Sequence, residues 1–388
     1  MKVGIVGVGM VKFGELWEQG YRDLYKAGIG AIGDAGIVGE DVDEIYVGSM
    51  SPGLFTGQEH IGALVADYAG LPGVAATRVE GACASGGLAL RQAYFSVRSG
   101  RNDIVVAAGA EKMTDVPTAS ASVALAGAGD EEWEAFQGAT FPALYALMAR
   151  RHMLEYGTTE EQLASVAVKN HHNASMNPYA QFQFEVSVEQ VLNSAPIAEP
   201  LKLLDCSPIT DGAAAVILAS EDKAKQLAKE TGKEVVWILG TGLATDTLAL
   251  HDRESLCKTR SAVLASEQAY KRAGVKAKDI DFAEVHDCFT IAEIMAIEAL
   301  GFCDFGEGGK ITENGETQIG GRIPINTSGG LKAKGHPVGA TGIAQAVEAT
   351  LQLRGEAGKR QVNDAEIGLS HNVGGSGATC VVHVFQGS

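Results

Sequence analysis

A chain of 388 residues with 46% hydrophobic content can bury large cores, and its length implies two to three domains. Lys and Arg number 31 against 48 Asp and Glu, a net charge of −17 that argues against nucleic acid or an anionic membrane surface as the main partner. An anionic ligand must then be held locally, and 49 glycines supply backbone N–H groups for that purpose at helix N-termini.

The chain opens on GIVGVG (4–9), which lacks the G-x-G-x-x-G order of a dinucleotide fingerprint and reads as a first strand with close backbone packing. The same N-terminus has no basic leader region, and no run approaches the roughly 18 apolar residues of a membrane span. A cytoplasmic location is expected. Next, AGIVGEDVDEIYV (35–47) repeats without a gap, 238 positions on, as AGVKAKDIDFAEV (273–285). Each copy follows an amphipathic helical run and leads through Asp-(Val/Ile)-Asp into an apolar strand. A second repeat pairs residues 83–111, a glycine-rich turn, helix, basic stretch and strand, with residues 336–355 and 365–375 in the same order. Strands alternating with helices of about 10–15 residues imply parallel sheets covered by helices, here as a duplicated α/β fold. Between the copies lies an irregular insertion, about residues 115–200. Its Leu144, Leu147, Met148 and Met153 fall at helical spacing, as for core packing or subunit contact. Adjacent side chains diverge, so His171–His172 is not read as a metal pair.

Four segments carry reactive side chains. In EGACASGG (80–87), Cys83 lies at or just before a helix N-terminus, where the macrodipole and free N–H groups are expected to lower its pKa and favour the nucleophilic thiolate. In NTSGGLKAKGHPVGATG (326–342), Pro337 biases His336 to extended backbone ahead of another helix start. If the halves pack about a pseudo-twofold axis, the two turns face each other and Cys83 and His336 become a nucleophile–base pair. The neighbouring Lys332 and Lys334 are taken as solvated. In VHDCF (285–289), a base, a carboxylate and a thiol sit side by side at the end of a predicted strand, as a metal site, a catalytic centre or core filler. In SHNVGGSGAT (370–379), His371 precedes glycines whose N–H groups suit an oxyanion. The six cysteines (83, 206, 257, 288, 303, 380) include no C-x-x-C pair, so no zinc site or disulfide framework is expected.

In combination these segments resemble the thiolase superfamily over nearly the whole chain: CASGG its nucleophile turn, GHPVGATG its Gly-His-Pro motif, and EPLKLLDCSPITDGAAAVILAS (199–220) the segment closing its first half. The resemblance implies two βαβαβαββ halves in a five-layer α-β-α-β-α sandwich with an inserted loop domain. The corresponding boundaries are 1–115, completed by 200–230, for the N-terminal half, 116–199 for the loop domain and 231–388 for the C-terminal half. Conventional thiolases carry Asn-Glu-Ala-Phe where this chain has His286-Asp287-Cys288-Phe289, and Cys-x-Gly where it has His371-Asn372-Val373-Gly374. That pattern is similar to sterol-carrier-protein-2-type thiolases and archaeal acetoacetyl-CoA thiolases.

The resemblance further implies that Cys83 is the acyl-carrying nucleophile, His336 its base and Cys288 the second acid/base, in place of the thiol missing near His371. His286 and His336 become donors to the enolate oxygen. The N–H groups of Cys83 and of Gly374–Gly375 become donors to the acyl oxyanion. The implied activity is condensation of two acetyl-CoA to acetoacetyl-CoA, for a mevalonate pathway. CoA thioesters are substrates and no metal or cofactor is involved. A homodimer or homotetramer is implied, with 3-hydroxy-3-methylglutaryl-CoA synthase and a small bridging protein as partners. The alternatives are a degradative 3-ketoacyl-CoA thiolase of longer or sterol side chains, and a non-catalytic thiolase-fold scaffold; the sequence ends at Ser388 with neither a lipid-carrier domain nor a Ser-Lys-Leu address, which favours the biosynthetic expectation.

Overall fold

The computed structural model describes residues 1–388, and its organisation follows from the repeated Asp-x-Asp segments. In the first copy the Asp43 carboxylate accepts the N–H groups of Asp103 (2.8 Å) and Ile104 (2.9 Å). In the second, Asp281 accepts those of Glu366 and Ile367, both at 2.8 Å. Each aspartate ties the start of one strand to the start of its parallel neighbour, which sets the register of both.

The first half runs β1 (Val3–Met10), α1 (Lys26–Ala35), β2 (Glu44–Gly48), α2 (Ile61–Tyr68), β3 (Ala75–Val79), α3 (Ser85–Arg98) and β4 (Ile104–Glu111). The insertion contributes helices α4 (Phe141–Tyr156) and α5 (Glu160–Ser175), and the first half is completed by β5 (Gly212–Ser220) and α6 (Glu221–Thr231). The second half runs β6 (Val236–Thr245), α7 (Arg260–Ala273), β7 (Phe282–Glu284), α8 (Thr290–Ala299), α9 (Thr341–Leu353), β8 (Ile367–Gly374) and β9 (Thr379–Gln386). The strands are hydrogen-bonded in the order β3-β2-β4-β5-β1-β6-β9-β8-β7. Strand β1 matches β6, β2 matches β7, β4 matches β8 and β5 matches β9. An isolated parallel bridge, Ala283 to Ile325, takes the place of β3. The halves meet where β1 and β6 pair antiparallel through Gly4–Trp237 and Ile5–Val236, as a pseudo-twofold axis requires.

Helices α1, α2 and α6 cover the outer face of the first sheet and α7 that of the second, while α3 and α9 lie between and touch strands of both. The layers are therefore α-β-α-β-α. The glycines of GIVGVG are packing positions: a Cβ at Gly9 would overlap the Ala27 carbonyl of α1, as one at Gly242 of β6 would overlap the Ala265 carbonyl of α7. No helix is long and apolar enough to cross a membrane.

The central contact positions the site. A Cβ at Gly86 would come 2.7 Å from the Gly339 carbonyl, and one at Gly342 would overlap the Gly87 amide, so the N-terminal turns of α3 and α9 touch backbone to backbone. Gly342→Ala gains about 1 kcal/mol of helix propensity but overpacks this contact at a cost of about 1–3 kcal/mol. The thermal unfolding midpoint should fall; an unchanged or raised midpoint would contradict the backbone contact.

Candidate active site

Cys83 sits in a single 3-10 turn (Ala82–Ala84) leading into α3. Ala82 is held at φ 53°, a left-handed conformation that costs a non-glycine residue about 1–2 kcal/mol. Ser85 braces the turn, donating its hydroxyl to the Ala82 carbonyl at 2.6 Å and accepting the Gly81 N–H at 3.0 Å. The thiol accepts the N–H of Gly375 and its own backbone N–H. The helix-dipole expectation is overturned here: burial outweighs these donors and, helped by the Glu111 carboxylate, pushes the Cys83 thiol up to about 12. The low-dielectric turn disfavours the thiolate more than two N–H groups favour it.

His336 reaches the same point from the turn before α9, with its backbone N–H on the Thr210 hydroxyl at 3.1 Å. The Thr341 hydroxyl donates its hydrogen to the Pro337 carbonyl at 3.1 Å, so it accepts from His336 Nδ1 at 2.7 Å. His336 Nε2 is left as a lone pair, the form a general base needs. Burial pulls this imidazole down to about 3. His286 crosses the His336 ring edge to face, with 5.0 Å between centroids, and burial followed by His336 and His371 holds it well below the ordinary imidazole range. One ligand atom each of Cys83, His286 and His336 lies within 4.8 Å of the others.

Cys288 follows on the loop from β7 to α8 and lines a cavity of about 130 Å³ with Cys83, His336 and Gly375. The remaining walls are largely apolar, including Met113, Leu125, Phe141, Ile209, Phe289 and Val338. Burial raises the Cys288 thiol well above its ordinary value, opposed by the Tyr145 hydroxyl. Tyr145, on α4, stacks on Phe289 at 4.6 Å and donates to the Gly375 carbonyl at 3.1 Å. A larger cleft of about 720 Å³, lined by Arg151, Arg253, Lys258 and Arg260 among others, holds none of these reactive groups.

The arrangement brings a buried thiol, a neutral imidazole, a second thiol and backbone N–H groups around one small, largely apolar cavity. The first 222 residues bear on what family this is: a family model of the thiolase N-terminal domain matches residues 3–222, and one described as thiolase C-terminal domain-like matches residues 242–387. The chain belongs to the thiolase family. Among curated thiolase relatives, an acetyl-CoA acetyltransferase of Methanothermobacter thermautotrophicus is 58% identical, covering 99% of both chains. One of Methanocaldococcus jannaschii is 51% identical, over 99% of this chain and 98% of its own. Human sterol carrier protein 2 is 36% identical over 98% of this chain and 71% of its own. Among solved structures, an Ltp2–ChsH2(DUF35) aldolase superposes with TM-score 0.85 at 28% identity, covering 98% of this chain and 97% of its own. Human mitochondrial 3-ketoacyl-CoA thiolase, at TM-score 0.77 and 18% identity over 100% and 99% of the two chains, shares the fold. Membership of this family, with relatives named acetyltransferases, makes the chain an acyltransferase.

Of the residues singled out in the sequence, Cys83, His336, Cys288 and Gly375 line this cavity, while His286 stands within reach of Cys83 and His336 and lines a smaller neighbouring cavity with His371. Gly374 packs on the Gly81 carbonyl, which a Cβ there would overlap. His371 sits behind His286, its Nδ1 accepting the His286 backbone N–H at 3.3 Å. Lys332 and Lys334 are buried, contrary to expectation, and Lys334 donates to Ser328 at 2.8 Å beside Glu284. Leu144 and Met148 are core residues, but Leu147 is 54% exposed. His171 bonds the Phe184 carbonyl and His172 the Glu185 carboxylate, so the two rings diverge. Sequence reasoning missed Thr341, Tyr145 and Asn372. The threonine stands five residues after His336 on a helix start and carried a readable signal; the other two came from stretches assigned to packing and to glycine donors.

With Cys83 raised and His336 lowered, the resting pair is neutral thiol and neutral imidazole across the physiological range. Alkylation of Cys83 by iodoacetamide should therefore keep accelerating above about pH 8.5, the ordinary thiol value. A rate that levels off by roughly pH 6, as for a His-paired thiolate, would contradict the neutral pair.

Proposed function

We propose that this chain is an acetyl-CoA C-acetyltransferase that condenses two acetyl-CoA into acetoacetyl-CoA and CoA through an acyl-Cys83 intermediate. The observation that carries the reading is the second thiol, Cys288, lining the same small cavity as Cys83 and His336; the two archaeal relatives named acetyl-CoA acetyltransferases support it.

His336 Nε2 takes the Cys83 proton as the sulfur attacks the thioester carbonyl. The oxyanion is held by the N–H groups of Cys83 and Gly375. As the C–S bond to CoA breaks, Cys288 gives its proton to the departing CoA thiolate, leaving acetyl-Cys83, a Cys288 thiolate and a protonated His336. A second acetyl-CoA enters, and the Cys288 thiolate removes a proton from its methyl carbon, restoring the thiol. The same burial that raises the Cys288 pKa makes its thiolate a strong base for a carbon acid. The enolate oxygen is met by His286 and His336, the enolate carbon attacks the acetyl group, and Cys83 leaves as thiolate and recovers its proton from His336. Protons balance without a cofactor.

The cavity of about 130 Å³ suits a short acyl group, which favours acetyl-CoA over the longer or sterol side chains of a degradative enzyme. A scaffold subunit would have no use for a complete set of two thiols and a base. The proposed setting is cytoplasmic, as a homodimer or homotetramer supplying a mevalonate pathway, in company with 3-hydroxy-3-methylglutaryl-CoA synthase and a small bridging protein.

Cys288→Ala should leave release of the first CoA measurable while condensation falls by about 10²–10⁴, the contribution of a positioned acid/base. Equal loss of both half-reactions would sink this division of labour. In a coupled assay, acetyl-CoA condensation should exceed thiolysis of 3-ketoacyl-CoAs of increasing length; activity confined to long or branched chains would overturn the substrate assignment.

A further inference from the structure

Asn372, on β8, has no place in the acyl-transfer steps, yet it touches both halves of the site. Its Oδ1 accepts the Gly87 N–H at 3.1 Å, which fixes which end of the amide is oxygen. Its Nδ2 therefore donates, to the Cys83 carbonyl at 3.0 Å, and lies 3.3 Å from His286 Nδ1. An amide N–H₂ has no lone pair to offer, so His286 Nδ1 must be the acceptor and the ring proton must reside on Nε2. That Nε2 is buried without a protein partner. A buried donor left without a partner carries an uncompensated desolvation penalty, which a binding site maintains for its ligand.

We propose that Asn372 is a positioning residue that fixes the Nε2–H tautomer of His286, so that this ring offers a hydrogen bond to a substrate oxygen and serves neither as a base nor as a metal ligand. The proposal rests on the reading of His286 as the enolate-oxygen donor. Thr341 sets the opposite tautomer at His336, so two imidazoles 5.0 Å apart are held as one donor and one acceptor. The cluster of Cys83, His286 and His336 has the spacing of an ion site, but a protonated Nε2 is not a metal ligand.

The titratable groups around His286 are His336 from the turn before α9, His371 from β8, Cys83 from the turn before α3, Tyr145 from α4, and Asp287 and Cys288 on its own segment. Asp287 is engaged by the N–H groups of Leu331 (2.7 Å) and Lys332 (3.1 Å) and by Asn170 Nδ2 (2.7 Å). Asn372 is the one hydrogen-bond partner of the His286 ring. Native His286 stays neutral through the working range, so it adds no step of its own to the native pH profile.

Asn372→Asp keeps an acceptor for Gly87 and replaces the Nδ2 donor by a carboxylate oxygen. In the neutral ring the proton then moves to Nδ1, and kcat relative to native at the same pH should fall by about 10²–10³ above roughly pH 8, the effect of losing one oxyanion donor. The carboxylate also raises the His286 pKa. As pH falls, the ring becomes imidazolium with N–H on both nitrogens, and the ratio to native should recover. A merely structural role lowers the ratio equally at every pH, so a flat ratio, or no loss, overturns the proposal. If that variant fails to fold, the native protein with ¹⁵N-labelled histidine answers directly, with the His286 signal assigned by its loss in His286→Ala. A proton on Nε2 supports the proposal and a proton on Nδ1 overturns it. His286→Ala condensing at the native rate would overturn the underlying donor reading; its loss of activity together with a flat Asn372→Asp ratio would overturn the role of Asn372 alone.

Discussion

Everything at the candidate active site depends on the contact between the first turns of α3 and α9. Those turns carry Cys83 and His336 at their leading ends, from opposite halves of a duplicated chain, and only the absence of side chains at Gly86 and Gly342 lets the two backbones meet. The pseudo-twofold pairing of β1 with β6 aligns the halves. The helices between the sheets then convert that alignment into a thiol facing an imidazole. A glycine at each contact therefore positions the two side chains as much as it packs the core.

Burial is the second governing factor. The site is enclosed enough that every ionisable group is driven toward its neutral form: the thiols of Cys83 and Cys288 rise, and the rings of His286, His336 and His371 fall. In the proposed reaction charge then appears only transiently, beside the N–H groups of Gly375 and Cys83 that already face the Cys83 sulfur. Hydrogen-bond partners outside the reacting set decide which ring nitrogen carries a proton: the Thr341 hydroxyl does so for His336, and Asn372 lies at the corresponding position on His286.

The duplication was legible because its cause is local. The Asp-x-Asp repeat survives in both halves, since each carboxylate caps the neighbouring strand in the same way. The convergence of Cys83, His336 and Cys288 on one cavity was legible because glycine turns and a strand end mark places where a backbone can approach a ligand. The direction of the Cys83 pKa was not legible: a helix N-terminus can be read from sequence, but how deeply the turn is buried is set by packing from other segments. Asn372 was hidden for a similar reason. Its partners are Gly87 and Cys83, 285 and 289 residues away, and no spacing announces such a bond. Tyr145 lay in a helix whose apolar positions read as core, and its hydroxyl acquires meaning only against Gly375, 230 residues on.

The central claim is that two thiols in one cavity divide the work, Cys83 carrying the acyl group and Cys288 moving protons. The most direct measurement is to mix the protein with acetyl-CoA labelled in its acetyl group, quench with acid, digest and locate the label. The account predicts acetyl on the peptide containing Cys83 and none on that containing Cys288. Label on the Cys288 peptide, or no label on that of Cys83, would contradict it.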